Sequence, residues 1–442
     1  MNRTPARHVA PAEDPAKGPA HARSLDGRPV LRAVGLVATA ALVFVGAGIG
    51  TAAVTLTGNI TAVDAEAALG TDRPEKEEPT DPNAGSPLNI LLLGSDSREG
   101  DNAKSANDGT EGARSDTTMI MHISADRSRV EMVSIPRDTT VDIPSCPTTS
   151  GAQTPELYGT KFNAAFSQGY LYGGDVESGA LCTMKTVETL TDVYIDGFIV
   201  VDFSGFRKMI DAIGGVELCI PNDIDAPKAD NLVLSAGVQT LNGKTALKYA
   251  RARMGDGLGD QSDISRIARQ QELMAALART VLGQNLLTDS PQLLKFLGAV
   301  TGSLTMSSNF ASVTGLAGLA YSARNVRPDT IAFMTAPFQY DPSNPANVLF
   351  TDEATQVWEN MEKDLPLSDA IAVEKKEKKN KDKDKASTDG ADTGTSDGAD
   401  DTASAEPTAE SSAEASPDPS PTRTRDAGAE AFTSADVTAV CG

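Results

Sequence analysis

The sequence predicts a mixed α/β domain over residues 88–365, built on a central sheet with helices on its faces. Three observations predict it. Short apolar runs bounded by turns recur from Leu88 onward, as buried strands do. Between them lie stretches whose apolar residues fall at helical spacing. On both sides the texture gives way to polar, Pro- and Gly-rich sequence that cannot bury enough surface to fold. The length in between is ample for one core.

The elements follow in order. Leu88–Leu93 reads as a buried strand that ends at Gly94. Thr118–Ile123 and Val130–Ile135 flank the polar turn Ser124–Ser128 and read as a hairpin. Phe198–Val201 and Val216–Ile220 read as strands. Ser204–Ile213 between them reads as a helix, because Phe206, Met209, Ile210 and Ile213 share a side and Gly214 supplies the stop. Ile264–Leu282 is the clearest amphipathic helix, with Ile267, Leu273, Met274, Leu277 and Val281 on one side. Further helices are expected at Pro291–Val300 and Asp352–Met361.

The flanks set the compartment. Residues 33–63 carry no charged side chain, long enough for a membrane helix of about 20 residues. We place the anchor at residues 33–56. Residues 1–32 carry Arg3, Arg7, Lys17, Arg23, Arg28 and Arg32 against Glu13, Asp14 and Asp26, which keeps that end cytoplasmic. Residues 57–87 read as a polar linker outside the membrane, and residues 366–442 as a disordered, low-complexity tail. A secretory signal cleaved near Ala65-Glu66-Ala67 is the alternative to an anchor; the long charged leader and long apolar run weigh against it. Either reading puts the domain outside the cytoplasm.

A net charge of −22 excludes a nucleic-acid partner, which calls for a basic surface. The four cysteines, Cys146, Cys182, Cys219 and Cys441, all follow the apolar run and read as two disulfides. Three pairings are open, and Cys146–Cys182 with Cys219–Cys441 is favoured. None forms a C-x-x-C pair, so zinc is not expected. The histidines are His8, His21 and His122, the last within an apolar strand, and there is no Gly-x-Ser-x-Gly; a Ser–His–Asp triad is not expected.

The charged residues beside the apolar runs carry the chemistry. They are Asp96 and Arg98 after the first strand, Arg114 and Asp116 before the second, Arg137 and Asp138 after the third, and Lys161 with Asn163. A dense stretch follows, with Arg251, Arg253, Asp260, Asp263, Arg266, Arg269, Gln270 and Gln271. Taken singly, each is more often a solvated or ion-paired surface residue than a functional one. As a group they are unusual, because arginines crowd the first turns of a helix in an acidic protein, against its dipole. An anion at that end removes the conflict. Arg266, Arg269 and Gln270 share a face at i, i+3, i+4 spacing, Arg251 and Arg253 share a side if their segment is extended, and guanidinium forks match phosphate oxygens. Asp96 and Asp116 are hard oxygen donors suited to Mg²⁺ together with substrate phosphates.

The ordered series Asn89–Arg98, Arg114–Thr117, Ser134–Asp138, Lys161–Ala165, Val201–Phe206, Gly214–Val216 and Arg251–Gln271 closely resembles the LytR-CpsA-Psr family, in its actinobacterial form. The resemblance spans roughly residues 88–282 and implies an α/β/α domain of that family's type. It implies a phosphotransferase that moves a glycopolymer from a polyprenyl-pyrophosphate lipid to peptidoglycan through a phosphodiester. By that resemblance Asp96 and Asp116 hold Mg²⁺. Arg114, Arg137, Arg251, Arg253, Arg266 and Gln270 clamp the pyrophosphate, with Arg137, Asp116, Arg251 and Arg253 as the catalytic set. Lys161 and Asp263 support the site, and Arg269, Arg98 and Asp138 stand behind them. The long polar segment Glu99–Gly112 departs from the pattern. A lipid tail needs an apolar pocket, which the helices at 203–213 and 264–282 could line. Two other readings stay open: hydrolysis of the same pyrophosphate with water as acceptor, and a wall-binding or regulatory protein without turnover.

Overall fold

Strand β2 (Leu88–Ser95) is the reference for the whole fold, because its side chains alternate between two buried faces. The structure, a computed structural model, describes residues 61–76, 85–96, 113–283, 304–311, 326–367 and 432–433, all in the unit that spans Leu56–Gly442. The anchor at 33–56, the segment Glu99–Gly112 with Arg98, the helix expected at Pro291–Val300, Cys441 and most of the tail lie outside the described residues. No helix among the described residues is long and apolar enough to cross a membrane.

Around β2 runs an eight-stranded mixed sheet. Its other members are β1 (Thr61–Val63), β3 (Ser115–Ile123), β4 (Val130–Ser134), β7 (Gly197–Asp202), β12 (Leu304–Ser307), β13 (Ile331–Thr335) and β16 (Phe432–Thr433). The spatial order is β1-β12-β7-β2-β3-β4-β13-β16. β2 pairs parallel with β7 and antiparallel with β3, and β3 pairs antiparallel with β4, so the expected hairpin is present. Smaller pairs join β5 (Thr140–Ile143) to β6 (Leu157–Lys161), β8 (Val216–Ile220) to β11 (Gly237–Leu241), β9 (Ile224–Ala226) to β10 (Leu232–Leu234), and β14 (Phe338–Asp341) to β15 (Asn344–Phe350).

One sheet face, through Leu91, Leu93, Ile120, Val133, Phe198 and Val200, packs on helices α2 (Ala164–Gly173), α3 (Val176–Thr191) and α7 (Asp352–Glu362). α2 and α3 lie close because Gly169 permits it: a Cβ there would collide with the Ser178 carbonyl and the Cys182 Cβ. The Cys146 and Cys182 sulfurs lie 2.10 Å apart, the favoured first pairing; Cys219 sits on β8, and Cys441 is outside the described residues. The opposite face is covered by α4 (Phe203–Ala212), α5 (Gly243–Arg251) and α6 (Asp263–Gly283). These helices build their own core with β8–β11, through Ile210, Val216, Tyr249 and Leu273. Gln271 pins α6 to the sheet by donating to Ser134 Oγ at 2.8 Å and the Met334 carbonyl at 2.8 Å.

Two boundaries need correction. Part of the segment read as linker belongs to the fold: β1 pairs with β12, and α1 (Ala65–Leu69) buries Ala65 and Leu69 in the main core. Arg73 then reaches Glu188 on α3 at 2.6 Å, with both side chains almost wholly buried, and its guanidinium covers the Tyr194 ring at 4.1 Å. Burial lowers the pKa of Arg73, but Glu188 more than reverses this, so the guanidinium stays charged. The second correction is Phe432, read as tail, which is buried and stacks on Phe333.

Breaking a buried ion pair strands the partner charge, at a cost of about 3 kcal/mol or more. Arg73→Ala is therefore expected to lower unfolding stability by that amount in urea titrations. A change under about 0.5 kcal/mol, the scale of an ordinary surface substitution, would contradict the packing described here.

Candidate active site

The sheet and the α4–α6 layer do not close on each other everywhere. A cavity of about 300 Å³ lies between Leu92, Leu93, Met119 and Val201 of the sheet and Phe206, Met209, Leu247, Leu273 and Met274 of the helices. Its interior is apolar. Its polar part gathers Asp116, Arg137, Arg251, Arg253, Arg266 and Gln270 from four separate stretches of chain.

Each side chain is placed by the element that carries it. Asp116 is the second residue of β3, and Asp96 follows the end of β2. The two strand ends are joined by the Ser95–Ser115 pairing and by a hydrogen bond from Asp96 N–H to the Arg114 carbonyl at 3.1 Å. Arg137 follows β4 and donates through Nη1 to Asp116 Oδ1 at 2.6 Å. Asp263 opens α6, where a negative charge suits the helix dipole. Its Oδ1 lies 2.7 Å from Arg266 Nη2, 3.1 Å from Arg137 Nε and 3.5 Å from Arg253 Nη2. Arg266 also donates to the Asp116 carbonyl at 3.1 Å. Arg251 stacks over Phe203 at 4.4 Å, a cation–π contact at the lip of the apolar space.

The electrostatics follow from burial. Desolvation pushes the Asp116 carboxyl up, but Arg266 and then Arg137 outweigh it and hold the group below the usual carboxylate range. Arg137 moves upward, since Asp263 and Asp116 overcome its burial. Arg266 moves downward, because burial and the neighbouring Arg137 exceed the help from Asp263. Four guanidinium groups thus face three carboxylates, Asp116, Asp263 and the cavity-lining Asp202, while Asp138 pairs with Lys161 at 2.7 Å and lies 3.5 Å from Arg137 Nε. Arg137 Nε and Arg266 Nε are buried donors without a hydrogen-bond partner. An excess of positive charge beside unsatisfied donors is an anion-binding arrangement.

The expected site residues divide accordingly. Arg137, Asp116, Arg251, Arg253, Arg266 and Gln270 come together at the cavity, and Asp263 holds three of them from behind. Arg269 does not join them. It is buried and donates to the Leu258 carbonyl at 2.7 Å and to the Ala252 carbonyl, which braces the Arg251–Arg253 loop. Arg114 is exposed and does not line the cavity; its backbone N–H donates to Asp96 Oδ1 at 2.7 Å. Lys161 is also outside the cavity, bound to Asp138 and to the Ala346 carbonyl. The segment of Arg251 is helical rather than extended: α5 is capped by Asn242 and ends at Arg251, and only Arg253 lies in the following loop. The conflict between α6's dipole and Arg266 is relieved within the protein by Asp263, one turn earlier. His122 is buried between Asn89 at 2.7 Å and Asp364 at 3.0 Å, as a structural residue.

Met209 lies on the helix expected to line the apolar pocket; sequence reasoning missed Leu247 as a cavity wall, and its signal was the short amphipathic run of α5 around Ala246 and Tyr249. The donor chemistry at Asp96 and Asp116 fits a divalent cation of the Mg²⁺ type. Asp96 and Asp116 stand on adjacent strand ends, where Asp96 Oδ1 accepts from Arg114 N–H and Asp116 Oδ1 from Arg137; such oxygen donors suit Mg²⁺ only together with water and substrate phosphates.

Comparison with known proteins gives an independent view. The cell wall biosynthesis protein LcpA of Corynebacterium glutamicum is 30% identical over 266 residues, covering 56% of this chain and 49% of that protein. The polyisoprenyl-teichoic acid–peptidoglycan teichoic acid transferase TagV of Bacillus subtilis is 33% identical over 195 residues, 43% of each chain. The crystal structure of B. subtilis TagV is 25% identical, covers 63% of this chain and 97% of that one, and superposes with a TM-score of 0.46. The chain thus spans about half the length of the curated relatives it matches. The LytR_cpsA_psr family model matches residues 52–388, most of the sequence, and the chain belongs to that family.

Proposed function

We propose that this protein moves a wall glycopolymer from a polyprenyl-pyrophosphate carrier to peptidoglycan through a phosphodiester bond, with Mg²⁺ held by Asp96 and Asp116. The observation that carries the reading is one cavity with apolar walls and a guanidinium-rich end. A ligand that satisfies both is a long apolar chain ending in a polyanion. The relatives named as teichoic acid transferases support the glycopolymer class. We further propose that residues 33–56 anchor the chain and that the domain works outside the cytoplasm.

In this reading Phe206, Met209, Leu247 and Met274 take the lipid, and Arg137, Arg251, Arg253 and Arg266 bind the two phosphates. Phosphoryl transfer asks the protein mainly for positioning and charge stabilisation. The acceptor hydroxyl oxygen forms a bond to the glycan-bearing phosphorus while the bond from that phosphorus to the bridging oxygen breaks. Lipid monophosphate leaves, and the hydroxyl proton is released. Arg137 and Arg266, fixed by Asp116 and Asp263, are in place before charge builds on the leaving phosphate, so no reorganisation is required. The bound metal would neutralise phosphate charge.

Arg137→Ala and Asp116→Ala are each expected to cut transfer at least about 10²-fold, the scale of losing one preorganised donor. The folded far-ultraviolet spectrum should remain. Full activity in both would reject the site. Product analysis decides between acceptors: wall-linked glycan supports transfer, and free glycan phosphate supports hydrolysis.

Filling the cavity tests the lipid assignment. Leu247→Trp should raise KM about tenfold for a long-chain carrier, near 1.4 kcal/mol of lost binding, and less for a truncated one. Equal effects on both would place the lipid elsewhere.

The depressed pKa of Asp116 gives a pH test with a definite sign. Its ionised form contributes stability fully above the unfolded value near 3.9, and that contribution fades as pH falls through the folded value. The stability difference between the wild type and Asp116→Asn should therefore be flat from about pH 5 to 8 and shrink in more acidic solution. A difference that grows on acidification would contradict the ion pairing described.

A further inference from the structure

We propose that Asp202 is the general base of the transfer, the group that takes the proton of the acceptor hydroxyl. The proposal rests on the transferase reading, in which that proton leaves as the new phosphodiester forms. A base for this step must border the cavity, stay open to the acceptor and offer a carboxylate oxygen that no cation occupies.

The other carboxylates near the guanidinium cluster do not meet these conditions. Asp116 accepts from Arg137 at 2.6 Å and is held below the usual carboxylate range, which makes it a weak proton acceptor. Asp263 is shared by Arg266, Arg137 and Arg253. Asp138 pairs with Lys161 and lies 3.5 Å from Arg137 Nε. Asp96 stands outside the cavity lining, and its Oδ1 accepts from Arg114 N–H at 2.7 Å. Asp202 differs from all four. It lines the cavity, is only half-buried, and makes no ion pair with any described residue.

The sheet register places Asp202 at the polar rim. It is the last residue of β7 and pairs in register with Ser95, which pairs in turn with Ser115 beside Asp116. The three strand ends are therefore level, with Asp202 on one flank of β2 and Asp116 on the other. Neighbouring strands stand about 4.8 Å apart, so the two flanks are about 10 Å from each other. A phosphate held on the Asp116 side by Arg137 and Arg266 leaves room in that span for one attacking hydroxyl. The apolar walls Leu92 and Met119 lie deeper along β2 and β3.

The carboxylate is also held in one orientation. Asp202 caps α4, where its Oδ1 accepts from Gly205 N–H at 2.6 Å. Its Oδ2 has no hydrogen-bond partner among the described residues. The next residue, Phe203, carries the Arg251 guanidinium on its ring, which brings a cation to the same flank without pairing it to Asp202. In the step, the acceptor oxygen bonds to the glycan-bearing phosphorus as its proton passes to Asp202 Oδ2. The bond from phosphorus to the bridging oxygen breaks, and its electron pair leaves with the lipid monophosphate. The proton on Asp202 then passes to water, which restores the carboxylate.

The test uses the full chain in detergent, with a lipid-pyrophosphate glycan as donor and a soluble peptidoglycan fragment as acceptor. Asn caps a helix as well as Asp does, so Asp202→Asn keeps the fold and removes the base. It should lower kcat for transfer by at least about 10²-fold, with the donor KM and the unfolding midpoint unchanged. Asp202→Gly, also tolerated at a cap, opens space at the rim. Added formate should restore transfer in that variant as its concentration rises, and should not do so in Asp202→Asn. A near-wild-type kcat in Asp202→Asn, or a loss expressed as a higher donor KM, overturns the proposal and leaves the transferase reading intact. So does a defect in Asp202→Gly that formate leaves unchanged, because a purely capping role predicts that result. A wild-type chain that transfers nothing to the fragment removes the transferase reading and the proposal with it.

Discussion

Asp263 holds the site together. One carboxylate oxygen lies within ion-pair distance of Arg266, Arg137 and Arg253, which come from three separate stretches of the chain. Like charges crowded into a partly desolvated space repel strongly, and without a shared counter-ion the cluster would not stay assembled. Placing that counter-ion at the first residue of α6 adds the helix dipole to its stabilisation. The hub still leaves the cluster positively charged overall, and that residual charge is what a phosphate ligand would meet.

The layered fold serves the same end. The sheet supplies strand ends, and with them Asp116, the turn carrying Arg137, and Asp96. The α4–α6 layer supplies Arg251, Arg253, Arg266 and Gln270. The two layers are held in register by Gln271 and by apolar contacts of α6 with β13 and β4. The helical layer has its own core around Ile210 and Tyr249, so it does not depend on filling the space above Leu92 and Met119. An apolar cavity can then persist beside a charged rim.

Much of this was legible in the sequence where the signal was local. Strand ends flanked by charged residues, and the stripe on the 264–282 helix, follow from periodicity and gave the elements of the site. Contacts between distant residues left no such trace. Arg73 finds Glu188 across 115 positions, so residues 61–76 read as a linker although they pack on α3. Arg269 has the spacing of a binding residue, yet its direction is decided by the loop carbonyls of Ala252 and Leu258. Helix α5 is short, with few apolar residues on its buried side, and periodicity alone did not separate it from an extended segment.

The most direct measurement is a crystal structure of the protein with a polyprenyl pyrophosphate bound. The two phosphates are expected among Arg137, Arg251, Arg253 and Arg266, with the prenyl chain running between the sheet and α4–α6 past Met209 and Leu247. A lipid bound elsewhere, or phosphates held away from those four side chains, would contradict the assignment of this cavity as the active site.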